Sequence, residues 1–279
     1  MSVFLVIPNL HVQRANMLQA PYLYAPAPVF AAVMAAHALG KRSDTLVDGV
    51  GIVHQRAEPI MDWWVREGRE RTWLNVSPVQ FRGASWIGER SATTDYASTN
   101  KRPQGLAIQP TMTSHLELSL VLRVTSPNMA KVERQLRHLR LAGGVITHFG
   151  KPSVHETLAE ALHRIHGGYW VEEAMDVVEQ RRKQGMDPIT AVLTRGEGEW
   201  LVPVNLGFSV ISSFEPRSGT RRHPKTGETL LHAYADNAIG LVRYVSLGKI
   251  RQRLEEGGAL PLWRYRWRHD RLFVVHQSA

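Results

Sequence analysis

The sequence predicts an α+β fold: a βαββαβ core with a long insertion, followed by a helical and antiparallel β part. Three observations carry this expectation. Strand-prone, helix-prone and strand-prone runs succeed one another over residues 3–53. A second such series occupies 115–149, and long apolar stretches with β character return after 199.

Residues 3–7 (VFLVI) are a continuous β-prone run closed by Pro8 and Asn9, suited to a strand buried on both faces. After a loop with Pro21, Pro26 and Pro28, VFAAVMAAHAL (29–39) is helix-prone, apolar nearly all round and ended by Gly40, which predicts a buried helix. TLVDGVGIV (45–53) reads as the second strand. In HLELSLVLRV (115–124) four leucines alternate with polar or smaller residues, the pattern of a strand with one wet face. A helix then starts at Asn128 with Val132, Leu136 and Leu139 on one face, Gly143-Gly144 ends it, and VITHF (145–149) is the next strand.

The order β, α, β, insertion, β, α, β is that of the ferredoxin-like unit, which is also the scaffold of RNA-recognition-motif domains. Residues 1–150 are therefore expected to form this core, with 54–114 inserted as an extended hairpin arm holding four of the eight tryptophans. In 151–279 a helical segment (153–185) is expected first. Ser153 and Glu156 suggest a capping box, and 171–185 runs from acidic to basic as a helix dipole favours. An antiparallel β region packed on the core then follows, with strands over 199–214, 228–248 and the last stretch.

With 34 Lys and Arg against 25 Asp and Glu, the net charge is +9 and the pI about 10.1. That excess favours polyanionic partners, nucleic acid ahead of an anionic membrane surface. The absence of cysteine excludes disulfides, thiolate catalysis and cysteine-based metal sites. The start reads as a first strand rather than a signal peptide, and no apolar run reaches the ~20 residues that span a bilayer. A cytoplasmic protein is expected.

No nucleotide-binding or nucleophile motif is present: residue 54 is His where a G-x-G-x-x-G needs glycine, and neither G-x-x-x-x-G-K-[ST] nor G-x-S-x-G occurs. His148, His155, His163 and His166 cluster in sequence, but Glu156 directly follows His155 and no HExxH forms, so surface or capping histidines are the default over a metal site. No cofactor, metal or catalytic residue is assigned. Basic loops give the stronger signal. Arg217, Arg221, Arg222 and Lys225 sit at an expected hairpin tip, where they either grip phosphates or merely keep the loop soluble.

Near the end, LPLWRYRWRHDRLF (260–273) alternates Trp263, Tyr265 and Trp267 with Arg264, Arg266 and Arg268. A strand would place the rings on one face and the guanidiniums on the other. The rings are either a base-stacking platform or core. Burial preference, with RLFVV (271–275) paired through a turn at His269-Asp270, favours core. The arginines then become a phosphate-facing or partner-facing stripe.

LVIPNLHVQRANMLQAPYLYAPAPVFAAVMAAHAL resembles the amino terminus of the handle-capping RAMP subunit of type I-F CRISPR Cascade (Csy) complexes, the Csy-two or type I-F Cas-five family. Where that family carries an Asn-Ala-Asn-like loop, this chain reads Arg14-Ala15-Asn16. DGVGIVHQRAEP, SHLELSLVLRV, LRLAGGVI, EWLVPVNLGFSVI, HAYADNAIGLVRYV and the LWRYRW ending follow in the same order, so the similarity touches almost the whole chain.

The resemblance implies a noncatalytic RNA-binding subunit with a modified RNA-recognition fold and the insertion as a thumb. It implies a protein that holds the 5′ handle of the crRNA and caps the backbone filament of an antiviral defense ribonucleoprotein. Its partners would be the backbone subunit, a large subunit, and target DNA near the protospacer-adjacent motif. On that basis Arg14, Asn16, Arg140, Gly143 and Gly144 are expected at the handle, where glycines admit RNA backbone closely. Lys101 and Arg102 would lie on the thumb, with Arg217, Arg221, Arg222, Lys225, Arg264, Arg266 and Arg268 on nucleic-acid phosphate. The rival reading is a repeat-cutting endoribonuclease of the same superfamily, with His11, His37 or His54 as general base. A second rival is a basic scaffold that binds only proteins.

Overall fold

The structure, a computed structural model, describes residues 2–20, 23–67, 72–78, 112–216, 222 and 226–277. Strand β1 (Ser2–Asn16) is followed by β2 (Leu18–Ala20), β3 (Leu23–Tyr24), helix α1 (Val29–Ser43) and β4 (Leu46–Pro59). Next come β5 (Met61–Glu67), β6 (Thr72–Pro78), β7 (Thr113–Thr125), α2 (Met129–Leu136), β8 (Arg140–Leu141), β9 (Gly144–His148), β10 (Ser153–His155) and α3 (Leu158–His163). The rest comprises β11 (Tyr169–Glu173), α4 (Met175–Lys183), α5 (Pro188–Leu193), β12 (Leu201–Val210), β13 (Glu215–Pro216), β14 (Leu231–His232), β15 (Ala235–Ser246), α6 (Leu247–Glu255), β16 (Trp263–His269) and β17 (Leu272–Gln277).

This is a mixed α/β architecture with a mostly antiparallel sheet and, among the described residues, six helices. One eleven-stranded sheet runs β11-β15-β12-β17-β16-β4-β7-β1-β9-β8, with β10 also on β1. The two halves of the chain meet at β4, whose second edge pairs with β16 at Trp263↔Val50 and with β11 at Tyr169↔His54 and Trp170↔Val53. These pairings close β4, β16, β17, β12, β15 and β11 into a ring of strands.

Both faces of the central strands are covered. Leu116, Leu118, Leu120 and Leu122 of β7 join the cluster built by α1 and α2, while Val121 joins one built by α3, α6 and Trp170. The wet face expected for β7 is therefore confined to its ends, because α3 and α6 bury the second face of its middle. α1 buries a stripe from Val29 to Leu39 and packs against β4, β8, β12, β16 and β17.

Several expected boundaries move. β1 does not stop at Pro8-Asn9: Asn9 adopts φ 51°, its N–H reaches Ser119 Oγ at 3.0 Å, and bulges carry the pairing with β7 on to Asn16↔Thr113. α1 passes Gly40 and ends at Ser43, whose Oγ donates to Leu39 O at 2.8 Å, with Asp44 as the left-handed cap. α2 is shorter than expected because residues 140–148 form a hairpin. Ala142 and Gly143 at φ 49° and 75° give the paired positive φ of a two-residue turn and Gly144 opens β9, so Gly143-Gly144 belongs to a hairpin and does not end a helix.

Residues 153–185 are not simply helical. Ser153–His155 and Tyr169–Glu173 add strands to the sheet, and the cap of α3 is Thr157, whose Oγ accepts from Glu160 N–H, rather than Ser153. Residues 228–248 contain β14 and β15, and the chain turns directly into α6 after Ser246. The insertion narrows because β4 and β7 remain paired to Pro59↔Ser114. Its described part is the β5–β6 hairpin.

Candidate nucleic-acid interface

The β16–β17 hairpin separates two chemistries by strand alternation. Trp263 is fully buried and its Nε1–H donates to Val171 O at 2.9 Å, tying β16 to β11. Tyr265 and Trp267 on the same face are 38% and 53% exposed, which corrects the expectation that all three rings are core. The physical reason is position. Trp263 lies where β16 meets β4, whereas the later residues run past that junction and cover only Phe273 and the flank of α1. There Tyr265 Oη lies 2.7 Å from His37 Nδ1.

On the other face Arg264, Arg266 and Arg268 are all exposed. Two residues of strand advance about 6.6 Å, so the backbone positions of Arg264 and Arg266 step at a spacing comparable to that of phosphates along a single strand, and a register shift between Trp267 and His269 falls at Arg268. Arg264 Nε donates to Asp48 O at 3.0 Å, and Arg266 and Arg268 form no ion pair with another described residue. Burial first, then the three arginine charges, push His276 below its ordinary pKa. The stripe borders a groove of about 600 Å³ with Arg123 and Glu173 in its lining. Burial raises the Glu173 carboxyl above the usual carboxylate range, opposed by the Gln277 N–H and by Arg268.

A second basic cluster forms where β1 ends. Asn16 N–H donates to Ala142 O at 2.8 Å, and Arg140 Nη1 donates to Gly143 O at 3.2 Å, so Arg14, Asn16, Arg140, Gly143 and Gly144 come together. Arg14 to Asn16 are the bulged end of a strand, not the free loop expected, with Arg14 at φ 55°. A Cβ on Gly144 would sit 2.7 Å from Gln13 O and 2.8 Å from Ala15 N. Gly144→Ala is therefore expected to cost about 1–3 kcal/mol by forcing β9 off β1, readable as a lower urea midpoint.

Arg222 is exposed and bridges Thr229, beyond the β13–β14 pairing that extends the β12–β15 hairpin. Lys101, Arg102, Arg217, Arg221 and Lys225 lie outside the described residues.

The three candidate base histidines occupy separate places. His11 Nδ1 is 3.9 Å from Glu117 Oε1 and its ring meets that of His148, while His37 is on α1 beside Tyr265. His54 is buried, and desolvation pushes its pKa down to about 4. An acid–base catalyst near neutral pH needs a pKa closer to the working pH. His155 Nε2 lies 2.8 Å from Ser153 Oγ, and among the described residues no group of three or more His, Asp or Glu is placed to hold a metal ion.

Because His54 is neutral in the fold and titrates near 6.5 when unfolded, its contribution is complete above pH 6.5 and is lost as pH falls toward about 4. That window corresponds to about 3 kcal/mol at ~1.4 kcal/mol per pH unit. His54→Phe is expected to flatten the stability profile between pH 7 and 4 in chemical denaturation. An unchanged acid-side slope would contradict the assignment.

One aromatic cluster carries no local signal in the sequence. His54, Tyr169, Tyr244 and Trp200 come from β4, β11, β15 and the residue before β12, and they form one aromatic cluster. Trp200 lies on Tyr244 with ring centroids 4.7 Å apart and planes 23° apart, and Tyr169 meets Trp200 edge-on at 5.1 Å. Its members are far apart in the chain, so only the pairing of the strands assembles it. No family model matches the chain, and no curated protein matches it.

Proposed function

We propose that this chain is the noncatalytic crRNA-binding subunit of a type I-F CRISPR surveillance complex. It holds the 5′ handle of the guide, caps the backbone filament and helps to engage target DNA near the protospacer-adjacent motif. The observation that supports this reading is the contact of Arg14–Asn16 with Arg140–Gly144, the two segments expected to line one handle site.

The strand order supports a ferredoxin-like core. β4-β7-β1-β9 is the second, third, first and fourth strand of the βαββαβ unit, with α1 and α2 contributing to one core cluster. The arginine stripe and the charge of +9 support a polyanionic partner. The test is binding of labelled RNA carrying the repeat-derived 5′ handle, against the same RNA with the handle scrambled. Preferential binding without cutting is expected. Site-specific cutting abolished by one His→Ala change would make the chain an endoribonuclease instead.

A further inference from the structure

The cluster of Tyr169, Trp200, Tyr244 and His54 has features that folding alone does not require. Tyr244 and His54 are buried, yet Tyr244 Oη and His54 Nε2 have no hydrogen-bond partner among the described residues. Each such atom typically costs about 1–3 kcal/mol, and departures of this kind concentrate at functional sites. Above them Trp200 is 53% exposed although one face of its indole is covered by Tyr244, so the opposite face is open to solvent. Tyr169, 39% exposed, flanks the stack, edge-on to the indole at 5.1 Å and 6.1 Å from the Tyr244 ring.

The indole is already fixed. Tyr244 N–H donates to Trp200 O at 3.0 Å, which holds the backbone of Trp200 against β15, and the ring stack with Tyr244 orders the side chain. A ligand that stacks here therefore does not have to order the platform first. The matching ligand is flat and aromatic on one side and, for a chain of charge +9, anionic elsewhere. An unstacked nucleobase of a single strand has both properties.

We propose that Trp200 and Tyr169 form a stacking seat for one base of the bound single-stranded RNA, separate from the phosphate contacts of Arg264, Arg266 and Arg268. This rests on the reading of the chain as an RNA-binding subunit and adds a base contact to it. The seat is indifferent to base identity in its stacking, since every base presents a π-face.

The test measures anisotropy of a short labelled single-stranded RNA with the full chain across a salt series, and repeats it with an abasic RNA of the same length and charge. Trp200→Ala is expected to weaken binding of normal RNA about five- to hundredfold, while leaving the salt slope unchanged. Trp200→Phe is expected to restore most of the loss. Abasic RNA is expected to bind the wild-type chain more weakly than normal RNA does, and Trp200→Ala is expected to cost abasic RNA no further affinity. Wild-type binding of abasic and normal RNA with equal strength, or unchanged affinity in Trp200→Ala, overturns the stacking seat and leaves the RNA-binding reading standing. No binding of any RNA by the wild-type chain overturns both.

Discussion

Replacing Arg264, Arg266 and Arg268 together by alanine is expected to weaken single-stranded RNA binding about hundredfold at 0.1 M salt. Each phosphate neutralised on a single strand contributes about 0.7 to the slope of log K against log salt, so three contacts give a slope lower by about 2. The fold should tolerate the change. All three side chains are exposed, and the hydrogen bond given up among the described residues, from Arg264 to Asp48 O, lies at the surface. Anisotropy titrations from low to moderate salt, with thermal unfolding as a control, measure both effects. Parallel salt plots for variant and wild type would remove the stripe from the interface.

The second large effect is on stability. Trp263→Ala should destabilise the chain by about 3–5 kcal/mol, the usual cost of emptying a site filled by a large buried aromatic. Trp263 is fully buried, pairs through its backbone with Val50 of β4 and donates its indole N–H to Val171 O of β11, so one residue joins three strands of the closed ring. Trp263→Phe keeps most of the volume and loses chiefly the hydrogen bond, about 0.5–1.5 kcal/mol, since Val171 O still accepts from Gln277 Nε2 at 3.3 Å. Denaturant titration orders the three proteins. A loss below about 1 kcal/mol in Trp263→Ala would mean that the ring closes without this residue.

Local patterns in the sequence were good guides where a residue's fate depends on near neighbours. The apolar run from Val29 made a buried helix, Asn128 capped α2 through Lys131 N–H, and the β16–β17 pairing was readable from alternation. They were poor guides where distant partners decide. Pro8 and Asn9 look like a strand end, but Ser119 on β7 takes the Asn9 N–H and the strand continues. VEEAMD looks like the start of a helix, but β4 and β15 offer edges on both sides of Tyr169–Glu173 and draw it into the sheet.

The candidate site divides in the same way. The arginines of β16 could be read from a period of two, and the structure keeps them exposed. Which rings are buried could not, because Trp263, Tyr265 and Trp267 differ only in how far each lies from the junction with β4. The Tyr169–Trp200 pair carries no local signal at all, being two ordinary aromatics separated by two helices.

The most direct test of the handle-binding claim is the RNA itself. The chain co-expressed with its genomic neighbours should be purified, its bound RNA extracted, and the 5′ ends sequenced. A uniform 5′ end derived from a CRISPR repeat is the predicted result. RNA with heterogeneous ends unrelated to a repeat, or no nuclease-resistant RNA, would contradict the account.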